Sequence, residues 1–232
     1  MMNDKKLNTL ENLEQPDSNS LSVVEAKVSV QNGRRKYNII YADPAWEYDD
    51  PCLHRGGALR HYQTMSVENI KALPIKEITA DDCVLFMWGT FPKQKEAMEV
   101  IEAWGFNYKT LGFLWIKTNK RKNINQFSFL PEDNFDSFWG MGRWTRSNAE
   151  PCFLATKGKP QRQNADVHSL IYAPIDKHSK KPEETRERII RLMGDIPRIE
   201  LFARQKADGW EAWGNEVESD IILKGCEPIL SN

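Results

Sequence analysis

Long apolar runs alternate with segments of helical spacing from residue 37 onward. Runs without internal alternation are typical of strands that are buried on both faces of a sheet, and apolar residues at every third or fourth position predict helices. The pattern predicts an α/β fold, Rossmann-like, with a mainly parallel sheet and helices on both faces. The predicted strands are 37–42, 83–89, 110–118, 151–158, 167–174, 198–204 and 210–217, and the predicted helices are 65–75, 93–105 and 181–194.

The pattern fades at both ends of the chain. Residues 1–33 are polar and rich in Asn, Asp, Glu and Ser, which predicts a flexible amino-terminal extension. Residues 34–218 form one predicted domain, and residues 219–232 form a carboxyl-terminal tail. Within the domain, residues 119–148 make a long connection with little periodicity. Connections of that length are usually functional or disordered.

Composition narrows the class of protein. Apolar residues make up 40% of the 232-residue chain and charged residues 28%, which is typical of a soluble globular protein. No apolar run reaches the roughly 20 residues of a membrane helix, and the amino terminus carries no secretory signal. We therefore expect a cytoplasmic protein with no membrane partner. Because the net charge is −1, a nucleic acid would have to be held by a local basic patch.

The cysteines argue against a disulfide framework and against a metal site. The four cysteines lie far apart and form no C-x-x-C pair, which predicts reduced thiols. Cys52 and His54 lie close together, but no second ligand pair completes a four-ligand site. We therefore expect no bound metal.

The segment Asp43-Pro44-Ala45-Trp46 directly follows the first predicted strand. In parallel sheets, ligands bind outside the carboxyl ends of the strands. One reading of the segment is a proline turn with Trp46 as core filler. The other is a site that methylates an exocyclic aromatic amine. There a carboxylate and a backbone carbonyl accept the amine N–H bonds, and an aromatic ring stacks on the base. The position at a strand end favours this second reading.

Eight short motifs occur in the order that is found in one known family. On these motifs the chain resembles the MT-A-seventy family of adenine-N(6) methyltransferases, in particular its short single-domain bacterial and phage members. The resemblance covers about residues 37–217. The motifs are Y-A-D-P-x-W (41–46), H-Y-x-T-M-S (61–66), D-D-C-V-L-F-M-W (81–88), W-I-K-T-N (115–119), G-R-W-T-R-S-N-A-E (142–150), H-S-K-K-P-E-E (178–184), R-I-E-L-F-A-R (198–204) and G-W-x-x-W-G-N-E (209–216).

The resemblance implies a methyltransferase domain with a Rossmann-like fold, S-adenosylmethionine as cofactor, and adenine in nucleic acid as substrate. It implies that Asp43 and the Pro44 carbonyl hold the target amine, that Trp46 stacks on the base, and that Tyr62 lies beside the active site. The resemblance also implies that Asp43 adjoins the cofactor. The other implied cofactor contacts are Lys181 at the methionine carboxylate, Phe202 and Arg204 on its flanks, and Asn215 and Glu216 at its ribose and adenine. No role falls to an imidazole, so His168 and His178 are expected to be structural.

Basic and aromatic residues interleave between residues 117 and 146. Such a mixture can follow a nucleic-acid backbone and stack on bases, which predicts a substrate-binding loop. The alternative is a loop whose aromatic residues dock on the core. The predicted substrate contacts in this segment are Lys120, Arg121, Lys122, Arg143 and Trp144.

One departure from the family pattern and one from the generic glycine-rich fingerprint leave alternatives open. Ala45 stands where the family usually has a second proline, and the predicted cofactor strand lacks a glycine-rich loop, as is normal for this family. A catalytically silent nucleic-acid-binding subunit is the second hypothesis, and a methyltransferase for small-molecule or protein amines is the third. DNA is favoured over RNA as substrate, and the expected state is a monomer or homodimer.

Overall fold

The computed structural model describes residues 29–31, 34–47, 64–119, 138, 140, 144–176 and 180–223. Their strands and helices alternate along the chain, as the sequence predicts. In chain order the elements are β1 (Ser29–Gln31), β2 (Arg34–Ala42), α1 (Val67–Ala72), β3 (Thr79–Trp88), α2 (Gln94–Ala103), β4 (Asn107–Thr118), β5 (Ala149–Lys157), β6 (Leu170–Pro174), α3 (Glu184–Met193), β7 (Arg198–Leu201) and β8 (Glu211–Trp213).

The eight strands of the described residues join one sheet in the order β6-β4-β5-β3-β2-β7-β8, with β1 paired to β2. Strand β2 runs parallel to β3 and β7, β7 runs parallel to β8, and β4 runs parallel to β6. Strand β5 is antiparallel to both of its neighbours, β3 and β4. The sheet is therefore mixed: six strands run in one direction, and β1 and β5 run against them. The sequence predicts a mainly parallel sheet but not these two reversed strands. An apolar run carries no direction, so the pattern could not show that β5 is reversed.

Side chains of the central strands alternate between two apolar clusters, one on each face of the sheet. Ile40 and Ala42 of β2 belong to the first cluster, together with residues of α1 and α2. Ile39 and Tyr41 of β2 belong to the second cluster, together with Ile189 of α3. The helices therefore cover both faces, as predicted for an α/β fold. None of the described helices is long and apolar enough to cross a membrane.

Local sequence accounts for where the helices begin and end. Helix α1 begins after Ser66, whose hydroxyl accepts a hydrogen bond from the Asn69 N–H as an N-cap. Helix α3 ends at Gly194, which has a φ of 90°. The sequence predicts that α3 includes Lys181, but the helix begins only at Glu184. Lys181 therefore belongs to the loop before the helix, where its side chain is free of the helical geometry.

Described residues just outside both predicted domain boundaries contact the domain. Residues 29–31 were predicted to belong to a flexible extension, but they form β1 and pair with Arg34, Arg35 and Lys36. The predicted tail begins at residue 219, but Asp220 accepts a hydrogen bond from the Ala212 N–H, and Leu223 is buried in the first apolar cluster. Residues 219–223 therefore belong to the folded unit. Most of the predicted extension lies outside the described residues.

Candidate active site

The carboxyl ends of β2, β3, β4, β7 and β8 lie at one edge of the sheet, because these strands share one direction. Strand β5 is reversed, so its first residues reach the same edge: Glu150 pairs with Trp115 near the end of β4. Strand β6 runs parallel to β4 and also ends here, so the edge collects side chains that follow six strands and side chains that begin a seventh.

Asp43 follows β2 at this edge, between the ends of β3 and β7. Its backbone N–H donates to the Leu201 carbonyl at 3.4 Å, which ties the turn to β7. Lys181 Nζ lies 2.8 Å from each of the two Asp43 carboxylate oxygens. The two predicted site residues, 138 positions apart in the chain, thus meet directly. The side chain of Lys181 is only 8% exposed and that of Asp43 is 22% exposed.

Lys181 also contacts a second carboxylate. Its Nζ lies 3.0 Å from Glu150 Oε1, while Glu150 Oε2 lies 2.7 Å from Lys117 Nζ. Asp43, Lys181, Glu150 and Lys117 thus form a chain of alternating charges, which we call the charge cluster. Its formal charges cancel, which is what a nearly buried group of ions requires.

The pKa values in the charge cluster move in different directions. Burial raises the pKa of the Asp43 carboxyl, and the Lys181 ammonium offsets this only in part. Burial acts in the same direction on Glu150, but Lys181 and Lys117 together outweigh it and hold the pKa of Glu150 below its ordinary value. Burial opposes the charge on Lys181, but the carboxylates of Asp43 and Glu150 outweigh it and raise the pKa of Lys181. Asp43 is therefore the carboxylate in the cluster that takes up a proton more readily.

Two indole rings contact the lysines of the charge cluster. Lys181 Nζ lies 5.6 Å from the centroid of the Trp88 ring, and Lys117 Nζ lies 5.0 Å from that of Trp115. The two indoles meet edge to face, with 6.4 Å between their centroids. Trp88 Nε1 donates to the Tyr41 hydroxyl at 2.6 Å, which holds the Trp88 ring at its edge. Each lysine is therefore held by a carboxylate and by an aromatic face.

The Asp-Pro-Ala-Trp turn is bonded internally and to the segment before α1. The Pro44 carbonyl accepts from the Trp46 N–H at 2.9 Å, and the Ala45 carbonyl accepts from the Met65 N–H at 2.9 Å. Trp46 Nε1 donates to the Trp88 carbonyl at 3.3 Å, and the Trp46 side chain belongs to the first apolar cluster. At 5% exposure the ring offers little open surface. Stacking of Trp46 on a base stays a prediction, and it would require the surrounding chain to open.

The predicted cofactor residues other than Lys181 and Asp43 lie on the loops after β7 and β8. Phe202 has a φ of 61°, which is rare for an aromatic residue, and its ring meets Trp213 edge to face. Arg204 Nε lies 2.8 Å from Glu216 Oε1, so these two residues pair with each other across the loops. Asn215 lies beside Glu216 and is exposed. The structure thus brings these four residues to the same pair of loops.

Most of the predicted substrate contacts lie outside the described residues. These are Tyr62, Lys120, Arg121, Lys122 and Arg143. Trp144 is described and is 95% exposed. Lys117 is the first residue of the same basic segment in the sequence, but its ammonium group pairs with Glu150 within the charge cluster. The substrate-binding loop therefore stays a prediction, and Lys117 has a different place from the other basic residues.

Sequence reasoning missed three residues of the site: Glu150, Lys117 and Trp88. All three lie in motifs that carry the family resemblance. No role was assigned to Glu150 and Trp88, and Lys117 was counted only among the basic residues of the predicted substrate-binding loop. The rule that sites lie at the carboxyl ends of strands points away from Glu150, because this residue lies near the amino end of β5. Knowledge that β5 is reversed would have placed Glu150 at this edge of the sheet.

Comparisons with known proteins give the family of this chain. The family model MT-A70, which is the MT-A-seventy family of the resemblance above, matches residues 37–216. The chain belongs to this family of methyltransferase-like proteins. It is 31% identical over 215 residues to the Type II methyltransferase M.MunI of a Mycoplasma species, and the match covers 84% of each chain.

Two eukaryotic relatives are similar over a smaller share of their length. The human N(6)-adenosine-methyltransferase catalytic subunit METTL3 is 27% identical over 191 residues, which are 81% of this chain and 29% of METTL3. The MT-A70-like N(6)-adenosine-methyltransferase of Arabidopsis thaliana is 26% identical over 190 residues, which are 24% of that protein. The chain thus spans less than a third of these two relatives.

Proposed function

We propose that this protein transfers a methyl group from S-adenosylmethionine to the exocyclic amine of adenine in nucleic acid, with DNA as the favoured substrate. The observation that carries the proposal is the Asp43 carboxylate, held at the end of β2 by the nearly buried Lys181. The family membership and the methyltransferase names of its relatives support the same reaction.

The proposed chemistry follows from the target amine. The lone pair of an adenine amine is delocalised into the ring, which makes the amine a weak nucleophile. Asp43 and the Pro44 carbonyl would accept its two N–H bonds, which localises the lone pair and stabilises the positive charge that develops. The Pro44 carbonyl already accepts from the Trp46 N–H, but a carbonyl oxygen has a second lone pair. Because its pKa is raised, Asp43 can also take the proton that the amine loses.

The loops after β7 and β8 fit S-adenosylmethionine, which would supply an electrophilic methyl group. Glu216 can accept from ribose hydroxyls, and Asn215 can both donate to and accept from an adenine edge. The buried Nε1 of Trp213, beside Phe202, has no hydrogen-bond partner within the described part of the chain. Lys181 would meet the carboxylate of the cofactor, next to its contacts with Asp43 and Glu150. These features support a Rossmann-like cofactor domain over the predicted residues 34–218, to which β1 and residues 219–223 are joined.

The preference for DNA rests on the length of the similarity. The match with M.MunI extends over most of both chains, whereas the matches with the eukaryotic N(6)-adenosine-methyltransferases cover only a part of those proteins. We therefore propose the substrate of a type II methyltransferase. A cytoplasmic location and a monomeric or homodimeric state belong to the same proposal.

The direct test is the transfer of radiolabelled methyl to single-stranded DNA, duplex DNA and RNA of one sequence, followed by mass spectrometry of the nucleosides. We expect N(6)-methyladenine from at least one DNA substrate. Asp43→Asn keeps the shape of the side chain but removes its charge, and it should lower the rate by about 100-fold to 1000-fold, the usual cost of an electrostatic contact to a transition state. The matched control is Asp195→Asn, because Asp195 is 84% exposed and pairs with Arg198 away from the sheet edge. Full activity of Asp43→Asn would remove Asp43 from the catalytic machinery.

The silent binding subunit remains the second candidate, and the burial of Trp46 is the observation that favours it. A silent subunit would bind the oligonucleotides, transfer no methyl group to any of them, and show no heat of binding with S-adenosylmethionine in calorimetry. Binding of the cofactor together with methyl transfer would exclude this candidate.

A further inference from the structure

Lys117 lies at the end of β4 and reaches the charge cluster from the side opposite to Asp43. Its Nζ lies 2.7 Å from Glu150 Oε2, and its side chain is only 20% exposed. The Lys117 N–H donates to the Asn148 carbonyl, and the Lys117 carbonyl accepts from the Phe138 N–H. Both the main chain and the side chain of Lys117 are therefore fixed in place.

Glu150 transmits the position of Lys117 to Asp43. The carboxylate uses one oxygen for Lys117 and the other for Lys181, and Lys181 in turn holds both oxygens of Asp43. The indoles under the two lysines, Trp88 and Trp115, are in contact with each other. A change at Lys117 can thus reach Asp43 through three consecutive ion pairs.

We propose that Lys117 is a positioning residue that keeps Glu150 charged and oriented, so that Lys181 stays shared between Glu150 and Asp43. The proposal rests on the proposed function, because it assigns Asp43 to the target amine. Lys117 does not contact Asp43, and it acts on the reaction only through Glu150 and Lys181.

The reason is the charge balance of a poorly solvated cluster. With Lys117 neutralised, two carboxylates would share one ammonium group. Glu150 would then draw Lys181 away from Asp43, or one of the carboxylates would take up a proton. In either case a smaller fraction of the protein would carry an ionised and correctly held Asp43 at a given pH. The effect should grow as the pH falls, because protonation of carboxylates is then favoured.

The test compares Lys117→Met and Lys117→Arg with a control lysine. Lys71→Met is the control, because Lys71 pairs with Glu99 at 3.1 Å and links α1 to α2 away from the sheet edge. The first measurement is the single-turnover methylation rate as a function of pH. We expect Lys117→Met to lose about tenfold more activity at about pH 6 than at about pH 8, because the acidic limb of the pH–rate profile moves to higher pH. Lys117→Arg and Lys71→Met should keep the profile of the parent. A lowered melting temperature alone would not move the profile.

A double-variant experiment tests whether Lys117 acts through Glu150. In a Glu150→Gln background, Lys117→Met should change the rate by a much smaller factor than it does in the parent, because the carboxylate that transmits the effect is gone. The same factor in both backgrounds would overturn the proposal. If Lys117→Met alone does not fold, the double variant is compared with Glu150→Gln. The double variant removes one charge of each sign from the cluster and so keeps its charge balance.

A readout on the protein alone separates this proposal from the proposed function. Carbon-13 NMR of labelled aspartate and glutamate carboxyl groups follows the titration of Asp43 and Glu150 without substrate. We expect both titrations to move to higher pH in Lys117→Met and to stay in place in Lys117→Arg and Lys71→Met. If the parent transfers no methyl group, the proposed function fails, and the NMR shift still decides whether Lys117 controls the cluster. Unchanged titrations in Lys117→Met would overturn the proposal in an active or an inactive protein.

Discussion

Asp43 lies where β2 ends, with both carboxylate oxygens 2.8 Å from Lys181 Nζ. Exposed ion pairs contribute at most about 1 kcal/mol to stability, but this lysine is 8% exposed. Removal of one partner would leave the other charge poorly solvated. Substitutions in the charge cluster will therefore change stability as well as catalysis, and isosteric changes such as Asp43→Asn are needed to separate the two effects.

Ala45 stands between two residues of the proposed machinery. The Ala45 carbonyl accepts a hydrogen bond from the Met65 N–H. A proline at this position would keep that hydrogen bond. A second proline would restrict the turn in the unfolded chain, and Ala45→Pro should therefore raise the free energy of unfolding by about 0.4–1 kcal/mol. We expect an equal or higher methylation rate and an unchanged affinity for the cofactor. Urea unfolding and single-turnover methylation measure the two effects.

The natural Ala45 form is the reference, and Asp43→Ala in the same background is the inactive control. A lower unfolding free energy of Ala45→Pro would mean that the backbone at residue 45 does not accept the φ of proline. A large loss of rate with unchanged stability would mean that the motion of the turn is part of the reaction.

At the scale of elements, the sequence predicts the existence of the strands and helices better than their directions. Every predicted helix and strand has a counterpart, because buried strands and amphipathic helices have different apolar spacing. The direction of β5 could not be predicted, since the apolar run at 151–158 reads the same in a parallel or an antiparallel strand. The length of the connection at 119–148 was the available hint. Its sequence shows no helical spacing, whereas a helix usually joins parallel neighbours.

Motifs in the sequence could predict single residues of the site but not the contacts between them. Asp43 and Lys181 were found because their motifs resemble those of a known family. Their direct contact was not predicted, because it depends on the loop before α3 rather than on a motif. Glu150 and Lys117 meet only because β4 and β5 are antiparallel neighbours, so the pair depends on the strand direction that the pattern leaves open.

The loops after β7 and β8 approach each other so closely that only glycine fits at residue 214. A Cβ atom there would lie 2.2 Å from the Ala203 carbonyl oxygen and 2.7 Å from the Ala203 nitrogen, both main-chain atoms. Gly214→Ala should therefore push the two loops apart and lower the free energy of unfolding by about 1–3 kcal/mol, the usual cost of overpacking. We also expect a loss of affinity for S-adenosylmethionine, because Phe202 and Glu216 lie on these loops. Thermal unfolding and calorimetry check the two expectations.

Asn215→Ala is the matched control for this prediction. Asn215 is the next residue and is exposed, so its truncation should weaken cofactor binding without changing stability. A Gly214→Ala protein with the stability of the parent would show that the loops can separate freely. Equal cofactor affinity in both variants and the parent would move the cofactor site away from these loops.

At the scale of the whole molecule, one ion pair links the helix on the second face to the sheet. Arg186 of α3 donates to both carboxylate oxygens of Glu200 on β7, at 2.7 and 2.9 Å. The Arg186 guanidinium also lies 5.9 Å from the centroid of the Tyr41 ring, and Tyr41 accepts the hydrogen bond of Trp88 under the charge cluster. The pair thus connects the packing of α3, through Tyr41, with the Trp88 ring of the candidate site.

Breaking this pair should destabilise the whole fold. The side chains of Arg186 and Glu200 are only 15% and 9% exposed. Glu200→Gln leaves the guanidinium without its anion, and we expect a loss of about 3 kcal/mol in the free energy of unfolding, the low end for a broken buried pair. The double variant Arg186→Met with Glu200→Met should recover at least half of this loss, because no unpaired charge remains. Glu184→Gln, which breaks the more exposed pair with Arg188, should cost less than about 1 kcal/mol. Urea unfolding followed by tryptophan fluorescence gives all three values. If Glu200→Gln costs no more than Glu184→Gln, the apolar cluster alone holds α3 against the sheet and the ion pair has no part in it.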